Sequence, residues 1–227
     1  MKKFGLALGS GGPKGFYHLG VLKCLEDNNI HIDYLTGASI GALAGGIYLS
    51  NNSAKTTEEK IKNLTKKEYA LMFANLTKLP TKGLIKGEKL IQVLDNLTNN
   101  KSIEELPIPF VVMSTDLNTG KSVKITKGKL SHAIRASSSI PFVFQPYKIN
   151  EYNLVDGGLS CPLPTTPLKE LGAEVVLAIN LHNPKNIDKI NLKTIFTNTI
   201  QIALFNLAKE QMQDADILLS PQIKDDS

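Results

Sequence analysis

The sequence predicts an α/β fold, three layers of α/β/α around a mostly parallel central sheet. The first 50 of its 227 residues read strand, turn, helix, strand, turn, helix. That alternation asks for a parallel sheet covered by helices. Further apolar runs at Phe110–Ser114 and Val175–Leu181 supply additional strands. Glycine-rich turns stand between strand and helix at Gly9–Gly15 and Gly37–Gly41.

The elements follow in order. Phe4–Leu8 is a short apolar strand that runs into the glycine turn. A helix then carries Phe16, Leu19, Leu22 and Leu25 at three-residue spacing, with Asn28 and Asn29 at its end. Cys24 falls on its apolar side and reads as a small buried residue. Ile30–Leu35 is the second strand, ending at Thr36-Gly37, and a small-residue helix starts near Ser39 and passes through Ala42, Leu43, Ala44, Ile47 and Tyr48. Residues 51–105 are rich in Lys, Asn and Thr and read as a helical insertion, with helix around Glu58–Leu71 and Glu88–Leu97. Phe110–Ser114 is a strand, Asp116–Gly120 a turn, Ser122–Thr126 a strand and Leu130–Ser137 a short helix. Pro141–Tyr147 is irregular and apolar, and Ile217–Ser220 is a last strand. Neither repeats nor a linker divide the chain, so residues 1–227 are expected to form one domain.

Composition narrows the function. Apolar residues make up 42%, enough for a core, which excludes a disordered chain. The formal charge is +5, and Arg135 is the only arginine. Bidentate recognition of phosphates and bases favours arginine, so this balance speaks against sequence-specific nucleic-acid binding. Scattered lysine suits a solubilised surface, or anionic headgroups. Cys24 and Cys161 share no CxxC or Cys/His spacing, so neither a disulfide framework nor a zinc site is expected. The apolar N-terminal run is short and broken by glycines, unlike a signal peptide, and no run of about 18 apolar residues exists to span a membrane. The expectation is a cytoplasmic chain, with peripheral contact to a membrane and neither cofactor nor metal.

Three glycine-centred motifs carry the chemistry. Gly37-Ala38-Ser39-Ile40-Gly41 is a GxSxG elbow between a strand and a helix, where it would lift the Ser39 hydroxyl above the sheet edge. Gly9-Ser10-Gly11-Gly12-Pro13-Lys14-Gly15 follows the first strand, and its backbone amides can converge on an anion. It fails as a Walker A loop, because Lys14 precedes Gly15 and Phe16 follows. It fits a dinucleotide fingerprint poorly as well. An oxyanion hole from the amides of Gly11 and Gly12 fits better, since Pro13 has no amide to give. Asp156-Gly157-Gly158, after Asn153-Leu154-Val155, is by itself only a turn, and gains meaning from the other two.

In this order and spacing the motifs resemble the patatin-like phospholipase family, in its bacterial single-domain form. The resemblance runs from about residue 4 to 221. It rests on Leu6–Gly15, His18–Leu22, Tyr34–Ala42, Thr115–Gly120, Arg135–Pro141 and Leu154–Gly158. It implies a lipid acyl hydrolase of phospholipase A type, acting on fatty-acyl esters through a Ser39–Asp156 dyad without a catalytic histidine. Asp156 would take the Ser39 proton, the amides near Gly11 and Gly12 would hold the oxyanion, and water would release the acyl group. Lys14, Gly15, Gly37, Gly41, Gly157 and Gly158 support these motifs. An ordinary carboxylate is a poor base for serine, so Asp156 is expected to be partly desolvated. Two departures stand out. Ser10 replaces a glycine common in the family loop and is expected to crowd the turn. The chain also ends soon after Ile217–Ser220, where relatives continue with a helix, so the C-terminus reads as trimmed or naturally short.

Rival readings remain open at this point. A Ser39–Asp156–His182 triad of α/β-hydrolase type keeps the right chain order, although the elbow comes early. His182 otherwise reads as a surface loop residue. A binding module would use the glycine loop for phosphate without turnover. Pro141-Phe142-Val143-Phe144 either lines an acyl cleft or packs in the core. Arg135 reads as a structural hydrogen-bonding residue, with a headgroup phosphate as its alternative partner.

Overall fold

Gly5–Leu8 are almost wholly apolar and fully buried, and they sit at the middle of a sheet. A computed structural model describes residues 2–72, 85–183 and 190–221. β1 (Phe4–Leu8) pairs in parallel with β2 (Tyr34–Ala38) on one side and with β7 (Val175–Ile179) on the other. β3 (Phe110–Asp116) continues the parallel set beyond β2, and β8 (Ile217–Leu219) continues it beyond β7. The antiparallel strands β4 (Ser122–Ile125), β5 (Tyr147–Ile149) and β6 (Tyr152–Val155) complete the β3 side, giving the order β5-β6-β3-β2-β1-β7-β8 with β4 also on β3. The sheet is thus mixed, with a parallel centre, and helices flank it.

The second strand differs from expectation. It begins at Tyr34 because the chain turns through Asn29, at φ 55°, and Asp33 is still tying down the start of β1. It extends to Ala38 because the β1 ladder holds it as far as Leu8↔Gly37. Strand β3 also runs two residues longer than expected, carrying Thr115 and Asp116.

α1 (Phe16–Asp27) buries His18, Leu22 and Leu25 and leaves Cys24 exposed. The expectation for Cys24 is therefore corrected: the buried stripe passes through positions 18, 22 and 25, and position 24 lies outside it. Phe16 is exposed too, stacked on Tyr69. α2 (Ile40–Asn51) is buried almost throughout, because its small residues let it press against the sheet.

The expected helix at Glu58–Leu71 is two helices, α3 (Ala54–Lys62) and α4 (Lys66–Met72). Thr65 restarts the chain as a capping box: its amide and hydroxyl donate to the Glu68 carboxylate, and the Glu68 amide donates to Thr65 Oγ1. α5 (Glu88–Leu97) buries Leu90, Val93, Leu94 and Leu97 in the main core. α6 (Leu130–Ser137) lies as expected.

Two helices have no counterpart in the sequence reading. α7 (Thr166–Glu170) is a single turn and a half started at Pro167. α8 (Leu192–Met212) is 21 residues long and opens with an Asn191–Thr194 capping box. Its run of Thr and Ile residues lowers helix propensity and hides it from pattern reading.

Candidate active site

The sheet register brings the elbow and the aspartate together. Ala38 lies opposite Met113, so Ser39 emerges level with Ser114. Val155 lies opposite Thr115, so Asp156 arrives at the same level from the other direction. The chain then crosses over β3: a side chain on Gly157 would stand 2.1 Å from the Met113 carbonyl. The result is that Ser39 Oγ donates to Asp156 Oδ2 at 2.5 Å, across 117 positions of sequence.

The elbow itself is strained. Ser39 has φ 52° and ψ −119°, a conformation unfavourable for a residue with a Cβ. Gly41 makes that turn feasible, since a Cβ there would lie 2.0 Å from the Leu8 carbonyl oxygen. Gly37 packs against the first turn of α2 in the same way. The Ser39 amide donates to Ser137 Oγ at 2.8 Å, and that hydroxyl donates onward to the Met113 carbonyl.

Asp156 is 8% exposed. Its Oδ1 accepts the Gly158 amide at 2.8 Å, and its own amide donates to the Ser139 carbonyl. Burial pushes its pKa up to about 6, against the opposing pull of the Ser39 and Gly158 hydrogen bonds.

The glycine loop leaves β1 directly above this pair. Gly12, at φ 60°, borders the cleft with Ser39, while Gly11 is set back against Leu181. Neither amide donates a hydrogen bond to another described residue. Gly15 is buried against Ile40, and Lys14 Nζ donates to the Leu181 carbonyl at 3.0 Å, bracing the loop. His18, buried beneath, donates from Nε2 to the Gly9 carbonyl, and burial lowers its pKa to about 4.

Beside Ser39 a narrow apolar cleft is walled by Ile40, Leu43, Leu90, Leu94, Ile134 and Phe144. Two of these residues come from α5, so the segment 51–105 supplies one wall. The apolar run after α6 divides its work. Val143 and Phe144 are buried, Ile140 lines the cleft, and Phe142, at φ 67°, is 57% exposed against Phe196.

Arg135 is fully buried and spreads over the Phe144 and Tyr147 rings. Its guanidinium donates to Ser139 Oγ and to the carbonyls of Lys86 and Gln145, which fixes the strand of chain that holds the Asp156 amide.

The sequence reading of His182 is corrected on both counts. It is buried, 2% exposed, and its nitrogens meet Ser10 Oγ and Gln201 Oε1 rather than Ser39 or Asp156. With both of its nitrogens bonded elsewhere, His182 joins neither Ser39 nor Asp156, and a Ser39–Asp156–His182 triad does not exist in this structure. Ser10 does not crowd the turn: its hydroxyl fills the space between His182 and Gly158. Sequence reasoning missed Ser137 and Gln201 as well. The Ser137-Ser138-Ser139 run carried the signal for the first; nothing local marked the second.

A serine on a strained strand-to-helix elbow, facing a buried aspartate across β3 of a mixed sheet and beside a glycine loop, defines a class of α/β protein. The chain belongs to the patatin-like phospholipase family, whose profile matches residues 6–169. It is 34% identical over 177 residues to an uncharacterised NTE family protein of Mycobacterium tuberculosis, covering 78% of this chain and 48% of that one. It is 30% identical over 191 residues to a neuropathy target esterase of Drosophila melanogaster, covering 82% of this chain and 13% of the relative. A lysophospholipase of Yarrowia lipolytica is 30% identical over 179 residues, covering 78% and 12%. The chain thus spans about half, or far less, of the length of these relatives. Among solved structures, VipD from Legionella pneumophila superposes with a TM-score of 0.49 at 13% identity, over 93% of this chain and 55% of the other.

Proposed function

We propose that this chain is a lipid acyl hydrolase, an esterase of phospholipase A type in which Ser39 is the nucleophile and Asp156 its base. The carrying observation is the 2.5 Å hydrogen bond from Ser39 Oγ to a buried Asp156 beside an apolar cleft. As the Ser39 oxygen bonds the ester carbonyl carbon, its proton passes to Asp156 Oδ2. The carbonyl oxygen gains negative charge and turns toward the amides of Gly11 and Gly12, which make no other hydrogen bond to described residues. Collapse of this intermediate breaks the ester C–O bond, and Asp156 returns the proton to the departing alcohol. Water then attacks the acyl-serine, with Asp156 again accepting a proton, and the fatty acid leaves. A pKa near 6 keeps Asp156 ionised at neutral pH yet stronger as a base than an exposed carboxylate.

The cleft is too narrow as it stands to hold an acyl chain, but its apolar lining beside Ser39 supports a fatty-acyl ester as substrate. Exposed Phe142 and Phe196, together with Leu192 and Ile195 of α8, support peripheral contact with a lipid surface. No helix among the described residues is long and apolar enough to cross a membrane. We propose one domain over residues 1–227 and a cytoplasmic location.

The test is a panel of lipid classes offered to wild type and Ser39→Ala, with released fatty acid read by mass. Release by wild type alone supports the hydrolase. Equal lipid or phosphate binding by both proteins without release would favour a binding module.

A further inference from the structure

Two histidines bond the glycine loop, His18 at Gly9 and His182 at Ser10, and His182 takes no part in the dyad yet is tied on both sides. His182 Nδ1 meets Gln201 Oε1 at 2.9 Å, and Nε2 meets Ser10 Oγ at 2.6 Å. Gln201 presents an acceptor, so the ring proton sits on Nδ1 and Nε2 accepts the Ser10 hydroxyl proton. Reciprocal bonds between Asn180 and the His182 backbone hold the residue in place from behind. Its pKa is held below the usual value by burial, with the Gln201 hydrogen bond opposing and the Lys14 ammonium adding to the effect.

Ser10 stands at a junction. Its amide is bound to the Pro162 carbonyl, and the next two residues are Gly11 and Gly12. On its other side is Gly158, where a Cβ would come within 2.6 Å of Ser10 Oγ and 2.9 Å of Ser10 Cβ. Gly158 in turn gives its amide to Asp156 Oδ1. One hydroxyl therefore touches both halves of the reaction centre: the loop whose amides face the oxyanion, and the turn that aims the base.

We infer that Ser10, His182 and Gln201 form a positioning chain that fixes the glycine loop against the Asp156 turn, so that amides and carboxylate keep their places as charge develops. The chain begins on α8, which is anchored at its far end: Gln211 Oε1 accepts from the Leu163 amide, and the Gln211 carbonyl accepts from the Thr165 hydroxyl. None of the three residues touches substrate. They act through backbone that does, and this inference rests on the dyad and oxyanion roles proposed above.

The histidine can be dissected by length. In His182→Gln the side-chain amide reaches about as far as Nε2, keeping a partner for Ser10. In His182→Asn it reaches only as far as Nδ1, keeping Gln201 and losing Ser10. Turnover of a short-chain ester by the full chain is expected to fall no more than threefold in His182→Gln. In His182→Asn and Ser10→Ala, kcat is expected to fall ten- to a hundredfold with KM within twofold of wild type. The double variant Ser10→Ala/His182→Asn should lose no more than the worse single one, because both break the same bond. Gln201→Leu, farther from the core, should give a smaller loss of kcat and keeps the test alive where a buried variant does not fold. Melting temperature is read alongside. Folded His182→Asn and Ser10→Ala with wild-type kcat, or losses that multiply in the double variant, would overturn the positioning chain. Activity that survives Ser39→Ala would instead overturn the hydrolase reading itself.

Discussion

Burial of Asp156 has a consequence for both rate and stability. Its pKa rises from 3.8 to about 6 in the folded protein. Below pH 4 both folded and unfolded chains hold the proton. Between the two values the unfolded chain ionises first, so stability falls as pH rises. Above pH 6 the folded protein carries the whole penalty, roughly 3 kcal/mol at most. Asp156→Asn, which keeps an acceptor for Gly158, is expected to melt higher than wild type at pH 8, with the advantage shrinking toward pH 4.5. Thermal melts at the two pH values check this; a variant that melts lower at both would contradict it. In the proposed mechanism the same ionisation sets the acid limb of hydrolysis. The dyad predicts that kcat/KM falls about tenfold per unit below pH 6, and a pH–rate profile flat down to pH 4.5 would speak against Asp156 as the base. Ser39 was a candidate from its own GxSxG turn, and Asp156 only from its place after the other two glycine motifs; the structure sets the two within hydrogen-bond distance. Ser137 stood in a visible serine run, but nothing local singled it out from its neighbours, and Gln201 carried no signal at all; each gains its meaning from a partner far along the chain.

Helices and strands supply the precision these residues need. The elbow forms because β2 stays paired through Ala38 and α2 starts one residue after Ser39. Gly41→Ala places a Cβ 2.0 Å from a backbone carbonyl of β1, which no rotamer change can relieve. Its expected cost is roughly 3 kcal/mol or more, read as a lower urea midpoint, and an unchanged midpoint would show that α2 is not seated as described. In the proposed reading α5 bears on specificity: Leu94→Trp is expected to block the cleft and shift the preferred acyl chain toward shorter esters, read from kcat/KM across a chain-length series. Element boundaries were legible where the apolar run or period was plain, as in β1, α5 and α6. They were not where tertiary pairing overrode local pattern. β2 starts four residues later than its apolar run suggests because the β1 ladder, and not that run, fixes where it pairs. α8 was invisible because its Thr- and Ile-rich surface speaks for strand while its packing and its Asn191 cap speak for helix.

For the whole molecule, topology explains why distant motifs converge. β1 and β2 run in parallel, so the loops that follow them leave from the same edge of the sheet, and β7 delivers the Leu181–His182 segment beside them. Asp156 reaches that edge by a different route, since β6 is antiparallel to β3 and its chain crosses over the strand. The alternation of the first 50 residues sufficed to predict the parallel centre, whereas the antiparallel flank of β4, β5 and β6 rests on short runs that gave only partial signal. The central claim is that Ser39 becomes nucleophilic because Asp156 takes its proton. The most direct measurement is the rate of covalent labelling by a fluorophosphonate at pH 7.5, with the labelled peptide identified by mass. The account predicts a single adduct on Ser39, formed at least a hundredfold more slowly in Asp156→Asn. Labelling at another residue, or an undiminished rate in folded Asp156→Asn, would contradict it.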